Sequence, residues 1–225
     1  MLGAILVVRA QSIAIAQSPT TQRVSVDLTS PKATVATMLA ATQSADASAL
    51  RDSFFASNDA QRDLVTAYAD LIVAARHLRD AARDKFASDN PPVPTTSAVR
   101  DGVVSEVPSP EDQQELANAA VKIDGDTATV QLPSRPKPIK LQRTDNLWRI
   151  DLADYASVQP AQWAEQAQVN HDLAAAMDEA SQEITAGKYA SAQEAESGIQ
   201  QKIHAVIAPQ LKNLAASAPT TRPNN

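Results

Sequence analysis

Three histidines are the side chains of this chain best suited to bind a metal or transfer a proton near neutral pH. They are His77, His171 and His204, and they lie far apart in the sequence. His77 stands three residues before Asp80, a spacing that puts both on one helix face and within reach of one cation. The acidic residues that share a seven-residue spacing with His77 are Asp63, Asp70 and Asp84. Because this spacing separates neighbours by about 10 Å along a helix, no third ligand is indicated, and a solvated charged flank is favoured over a metal site.

Three other groups have side chains that suit chemistry, and each has a simpler structural explanation. The first comprises the carboxylates Asp124, Asp126 and Asp151. Turn chemistry and outward strand positions are favoured for them over an acidic site. The second comprises Trp148 and Trp163. Each falls in the repeating apolar pattern of its segment, so a core position is favoured over a ligand-stacking surface. The third is a local basic cluster of Arg135, Lys137, Lys140 and Arg143. This cluster fits a solvated edge better than a site for an anionic partner.

Composition excludes several classes of chemistry. The chain has 225 residues and no cysteine, which rules out disulfides, thiol catalysis and cysteine-ligated zinc or iron–sulfur centres. Only 5 residues are glycine, and no glycine-rich phosphate loop, HExxH or GxSxG motif is present. The net charge of −6 disfavours nucleic acid and anionic membrane surfaces as partners. We therefore assign no catalytic, cofactor-binding or metal-binding residue. Catalysis is left undecided, with a non-catalytic role favoured.

The N-terminal residues indicate export. Residues 1–16 are largely apolar and end in Ala14-Ile15-Ala16, a small-x-small pattern typical of a signal peptide cut near Ala16. The alternative is an ordinary apolar strand or helix. Sixteen residues are too few for a membrane-spanning helix, which needs about 20. The pattern predicts a periplasmic or secreted protein, with residues 17–29 as a polar linker.

Three helices are predicted next. Ser30 and Pro31 are typical of an N-cap and first helical position. A second short helix follows, with Leu50, Phe54 and Phe55 as its apolar positions. A long third helix reaches about Phe86. Its apolar stripe at helical period comprises Leu64, Tyr68, Leu71, Ala75, Leu78 and Ala82.

The pattern then changes to a period of two. After a possible strand at Val103-Val104 and a short helix within residues 111–117, two hairpins are predicted. Their turns are Asp124-Gly125 and Asp145-Asn146. The inward-facing residues predicted for the strands are Ala128, Val130, Leu132, Ile139, Leu141, Trp148, Ile150 and Leu152.

Two further helices end the chain. Pro160 starts one whose stripe includes Leu173, Met177 and Ile184, and a Ser191–Glu194 capping box starts the other. Pro209 is expected to kink or end the last helix, although apolar residues continue beyond it. The pair predicts an αα-hairpin. It would dock on the sheet of the same chain, or leave an apolar groove or dimerisation surface exposed.

Two segments carry a resemblance to a known family. The first, residues 43–55, is similar to the "A-G-D-A-x-A-L" helix–turn–helix of NTF2-like domains in the cystatin superfamily. The second runs from "VKIDGDTATV" at residues 121–130 to "IKLQRTDNLWRIDL" at residues 139–152. It resembles the paired hairpins of exported bacterial NTF2-like domains of unknown function. The resemblance covers residues 30–152 and implies a cone-shaped cavity, but no position matches the Asp or His base of the family's enzymes.

These observations predict an α+β protein. Residues 30–155 form an NTF2-like domain with N-terminal helices packed on a curved antiparallel β-meander, residues 156–214 a C-terminal helical hairpin, and residues 215–225 a disordered tail. The predicted function is a non-catalytic exported module that binds a small apolar ligand or a protein partner, with a homodimer possible. The alternatives are a small-molecule isomerase or hydratase, and a structural protein that assembles through its C-terminal helices.

Overall fold

The computed structural model describes residues 23–86, 110–155 and 158–217. Within them the chain is α+β, with helices before and after a five-stranded sheet that does not close. The predicted signal peptide, the Val103-Val104 strand and residues 218–225 of the predicted tail lie outside the described residues.

Helices α1, Pro31–Ser44, and α2, Ala47–Ser53, are each started by a side-chain cap. The Ala33 amide donates to Ser30 Oγ at 3.2 Å, which confirms the predicted cap. Ala45 ends α1 with φ 55°, and Asp46 then accepts the amides of Ser48 and Ala49 to begin α2. The chain therefore turns from α1 into α2 through one residue, Ala45, in the left-handed conformation.

Phe54 and Phe55 leave the helical path and form strand β1, Phe54–Phe55. The prediction that they belong to the second helix is wrong, because their backbone pairs in parallel with residues Ile150 and Asp151. Phenylalanine favours strands, and Phe54 is buried edge-on against the Tyr68 ring at 5.4 Å. The backbone pairing with β5 and the burial of Phe54 together stabilise the strand more than two further residues of α2 would stabilise the helix.

The remaining strands form an antiparallel meander. They are β2 (Ala120–Asp124), β3 (Thr127–Gln131), β4 (Ile139–Thr144) and β5 (Leu147–Asp151), and the sheet order is β1-β5-β4-β3-β2. Asp145 and Asn146 have φ of 54° and 63°, as a type I′ turn requires, which confirms the second predicted turn. The first turn is Gly125-Asp126, one residue later than predicted, because Asp124 pairs with Thr127.

Helix α1 covers one face of the meander. It packs on β3 and β5, and Thr34 Oγ1 donates to the Trp148 carbonyl at 3.0 Å. The predicted inward residues of the strands are all buried, whereas Lys140 on the opposite face is exposed. The alternation of the strands is therefore confirmed, and buried side chains fill the space between α1 and the sheet.

Helix α3, Asp59–Phe86, begins at Asn58, whose side chain accepts the Gln61 amide at 2.9 Å. Its predicted apolar stripe is buried except for Ala75, which is half-buried. Helix α3 packs along α6, Trp163–Thr185, and this is the most extensive contact between elements of the described chain. Alanines at buried positions of both helices allow their backbones to lie close together.

Helices α3 and α6 run parallel. Near their starts, His171 Nε2 lies 3.3 Å from Asp63 Oδ1. At their ends, the Lys85 ammonium lies 3.4 Å from the point that a Cβ would occupy at Gly187. The predicted N-terminal domain and C-terminal hairpin thus share one hydrophobic core.

Short helices connect these elements. They are α4 (Pro110–Glu115), the 3₁₀ turn Leu116–Asn118, α5 (Leu152–Tyr155) and the 3₁₀ turn Pro160–Gln162. The short helix predicted within residues 111–117 is thereby confirmed.

The last helix, α7, Ala192–Ser217, packs on α6 to form the predicted hairpin. It continues through Pro209 rather than ending there. The Glu194 amide donates to Ser191 Oγ at 3.2 Å, and Glu194 in turn accepts the Ala190 amide. The predicted cap is present, with the glutamate reaching one residue further back.

Polar contacts of Glu183 connect the end of α6 to α7. Hydrogen bonds from Lys188 and Tyr189, with a further ion pair to Lys202 at 3.3 Å, lower the pKa of Glu183 to about 2. Burial and the adjacent Glu183 carboxylate raise the pKa of Tyr189 to about 12. The Tyr189 ring also occupies the space that a Cβ on Gly198 would need, at 2.7 Å. The connection between α6 and α7 thus combines charged contacts at Glu183 with close packing of Tyr189 on Gly198.

We expect Glu183→Gln to lower the free energy of unfolding by about 1–2 kcal/mol near neutral pH. Because the pKa of the Glu183 carboxyl is lowered from its ordinary value of 4.5 to about 2 on folding, its stabilisation is complete above pH 4.5 and disappears as pH falls through 2. Urea unfolding of the wild type and the variant across this range measures the difference. Glu179→Gln is the control, because that exposed carboxylate also contacts Lys202, and it should have a smaller effect. A difference that stays constant down to pH 2 would contradict the assignment.

Candidate functional site

An open cleft of about 430 Å³ lies beside strand β1, between the β4–β5 turn and the start of α3. Its apolar floor includes Phe54, Phe55 and Val65. Its rim carries three guanidinium groups, those of Arg51, Arg62 and Arg149. The volume falls in the range of small-molecule sites, about 300–1,000 Å³.

Each arginine of the rim comes from a different element. Arg51 stands in the last turn of α2, Arg62 in the first turns of α3 and Arg149 on β5. Helix α2 ends at Ser53 because the chain turns into β1, and this turn directs the end of α2 toward the β4–β5 hairpin. The strand alternation places Arg149 on the sheet face opposite the buried Trp148 and Ile150.

The three guanidiniums differ in their partners. Arg51 Nη1 lies 3.3 Å from Asp70 Oδ1, in a pair with both side chains about 40% exposed. Arg62 forms an ion pair with Asp59 one turn earlier on α3. Arg149 donates to the Thr144 carbonyl at 3.4 Å and makes no ion pair with any described residue. Of the three arginines, Arg149 is therefore the one that can bind an anionic ligand without breaking an ion pair to a described residue.

The chemistry of this cleft is anion recognition over an apolar surface. A guanidinium presents a planar fork of donors that matches a carboxylate or phosphate. The two carboxylates that border the cleft, Asp52 and Asp145, belong to exposed residues. The arrangement suits a ligand with an anionic head and a short apolar body.

The three candidate histidines, for which the sequence favoured solvated positions over a metal site, do not come together in the structure. His77 Nδ1 lies 3.7 Å from Asp178 Oδ1 on α6, and His204 is exposed on α7. Asp80 pairs with Arg76 and Arg83. No group of three metal-ligating side chains occurs within the described residues. The two histidines that have carboxylate partners thus bridge α3 and α6.

The predicted acidic and aromatic candidates occupy structural positions. Asp124 and Asp126 are exposed at the first hairpin, and Asp151 accepts the Asp154 amide at 3.3 Å. Trp148 is buried in the core, and Trp163 is half-buried with its indole nitrogen 3.4 Å from the Val158 carbonyl. None of these five side chains lines the cleft.

The interpretation of the basic cluster as a solvated edge is wrong for Arg135. Its side chain is 7% exposed and bonds at 2.9 Å to Asp112, which is 6% exposed. Lys140 pairs with Asp154 and Arg143 with Asp126, both in exposed bridges. The cluster separates because α4 brings Asp112 against the β3–β4 connection, where Ser134 also bonds to Glu115.

The cleft arginines were not singled out by the sequence. Nothing in their local pattern distinguishes Arg51, Arg62 and Arg149 from other surface arginines, since each belongs to a different element. The sequence offered one indirect indication of the cleft. Arg51 lies shortly before Phe54 and Phe55, so a strand predicted at these two residues would have placed Arg51 beside the sheet.

Comparisons with family models, with curated proteins and with solved structures found no match for this chain. Within residues 23–86, 110–155 and 158–217, no helix is both long and apolar enough to cross a membrane.

Proposed function

We propose that this chain is an exported, non-catalytic NTF2-like module that binds a small organic anion in the cleft beside β1. The observation that carries the proposal is the position of Arg149, a guanidinium without an ion pair among the described residues, above an apolar floor. The ligand we propose is a carboxylate with a short apolar or aromatic body. Export rests on the signal-peptide pattern of residues 1–16.

The NTF2-like assignment is supported by the order of elements. Two short helices, a long third helix and an antiparallel meander follow one another as in the family resemblance. The ligand site that we propose differs from the cone-shaped cavity that the resemblance implies. Here the helix-covered face of the sheet is filled by buried side chains, and the open volume lies at the β1 edge.

The two alternative functions have less support. An isomerase or hydratase needs an acid or base held in an apolar pocket, whereas Asp52 and Asp145 at the cleft are exposed residues. Assembly through the C-terminal helices needs an open apolar stripe, whereas Leu173, Met177 and Ile184 are buried within the chain. A binding role uses the features that the structure leaves accessible.

The proposal predicts that phenylacetate binds and that the neutral benzyl alcohol binds much more weakly. Arg149→Ala should weaken phenylacetate binding about tenfold or more, because it removes a charge-assisted hydrogen bond worth about 1.5–3 kcal/mol. Titration calorimetry on the full chain measures both ligands. Arg83→Ala is the matched control, since Arg83 is an exposed, ion-paired arginine on α3 outside the cleft.

Arg149→Lys separates charge from shape. A lysine keeps the positive charge but loses the guanidinium fork, so binding should fall between that of the wild type and that of Arg149→Ala. Equal affinity of all four proteins for phenylacetate, or equal binding of the acid and the alcohol, would reject the cleft as an anion site.

A further inference from the structure

Among the described residues, strand β2 forms an edge of the sheet, with β3 as its one neighbour. All five of its residues are exposed, and Val121 and Ile123 are 40% and 57% exposed. A strand edge presents unpaired backbone donors and acceptors, which another strand can complete. The geometry of this edge indicates what kind of strand would fit it.

The register of the sheet shows which backbone groups of β2 face outward. The Arg143 amide donates to the Asp126 carbonyl at 2.8 Å, so Asp126 faces β4. Because this direction alternates along an antiparallel strand, Ala128 and Val130 face β4, and Thr127, Thr129 and Gln131 face β2. Their partners on β2 are Asp124, Lys122 and Ala120. The N–H and C=O groups of Val121 and Ile123 therefore point away from the sheet.

The side chains of β2 divide between the two sheet faces. Ile123 is opposite Ala128, and Val121 is opposite Val130. Because Ala128 and Val130 are buried, Val121 and Ile123 lie on the apolar face of the sheet. Lys122 and Asp124 lie on the other face. The apolar face of the sheet thus continues one strand beyond the area that the described helices cover.

The charges of β2 are complementary to a second copy of β2 in one antiparallel register. If Ile123 lies opposite Ile123 of the other copy, Lys122 lies opposite Asp124 in both directions. Shifting the pairing to place Lys122 opposite Lys122 sets like charges together, which is destabilising. The favoured register also aligns the outward backbone groups, because Ile123 faces out in both copies. The Gly125 position, where a Cβ would meet nothing within 4 Å, leaves room beside Val121.

We propose that two copies of this chain pair through β2 about a twofold axis at Ile123, forming a continuous ten-stranded sheet. Two Lys122–Asp124 pairs lie on one face of this junction. The Val121 and Ile123 side chains of both copies form an apolar cluster on the other. Such a small contact belongs to the weak class of interfaces, so dimerisation is expected only toward high concentration.

Sedimentation of the full chain over about 10 µM to 1 mM, the range in which a small interface associates, tests the proposal. The expected result is a reversible shift from the 23.9 kDa monomer toward twice that mass. Lys122→Glu and Asp124→Lys should each remain monomeric, because each sets like charges across the axis. An equimolar mixture of the two variants should associate, because every 122–124 pair then becomes complementary.

Ile123→Pro tests the backbone pairing. It removes an N–H that faces outward, so it costs no ladder bond within the chain and should abolish association while far-UV circular dichroism stays unchanged. A chain that remains monomeric at the highest concentration overturns the proposal. Association that survives Ile123→Pro, or a mixture of the charge variants that stays monomeric, overturns it as well.

Discussion

Arg135→Ala is expected to lower the free energy of unfolding by about 3–5 kcal/mol, because it leaves the Asp112 carboxylate buried without its guanidinium partner. The two side chains are 7% and 6% exposed and are joined by hydrogen bonds from both Nε and Nη2 of Arg135. The pair joins α4 to the connection between β3 and β4. Urea unfolding followed by far-UV circular dichroism measures the loss.

A matched control uses the exposed bridge between Arg143 and Asp126 on the same sheet. Asp126→Asn removes its charge and should cost less than about 1 kcal/mol. Replacing both buried partners, with Asp112→Leu and Arg135→Met, should recover most of the stability lost in Arg135→Ala, because neither charge of this pair is then buried. A similar small effect for Arg135→Ala and Asp126→Asn would show that Arg135 is solvated.

Trp148→Ala is expected to lower the free energy of unfolding by about 3–5 kcal/mol through the cavity that it leaves between α1 and the sheet. The indole is 4% exposed, and the Arg143 guanidinium lies 5.4 Å from the ring centre. The backbone of this residue also bonds to Leu28 and Thr34, contacts that the substitution leaves in place. The loss of stability therefore measures the contribution of the Trp148 side chain. Thermal or urea unfolding by circular dichroism, rather than by tryptophan fluorescence, is the appropriate measurement.

Trp148→Phe should cost much less, because the smaller ring fills most of the same volume. Trp163→Ala provides the second comparison, since that indole is only half-buried at the start of α6. A larger loss in Trp163→Ala than in Trp148→Ala would contradict the placement of Trp148 at the centre of the sheet core.

The local features of this fold could be predicted from short sequence patterns. Ser30 and Asn58 cap helices through their own side chains, and Asp145-Asn146 adopts the left-handed conformations that a type I′ turn needs. The alternation in β4 and β5 likewise depends on neighbours within a few residues. Each of these features is determined by chemistry close in the chain.

Features that depend on distant partners could not be predicted in this way. Phe54 and Phe55 form a strand only because β5 offers a parallel edge, and Arg135 is buried only because α4 supplies Asp112. The apolar stripe of α6 was recognised, but its main partner is α3 rather than α7 or the sheet. The arginine cleft is missed for the same reason, since the pairing of β1 with β5 brings Arg51 and Arg149 to the same cleft.

The parallel pairing of α3 with α6 has a consequence for how the chain folds. Asp63 and His171, which meet across the two helices, are 108 positions apart, and the whole meander lies between them. Contacts of such long sequence separation slow folding, because closing a long loop costs chain entropy before the contact contributes any stabilisation. During synthesis, the apolar stripe of α3 emerges long before α6 exists to cover it. We expect the nascent chain to expose this stripe until residues 163–185 of α6 have been made.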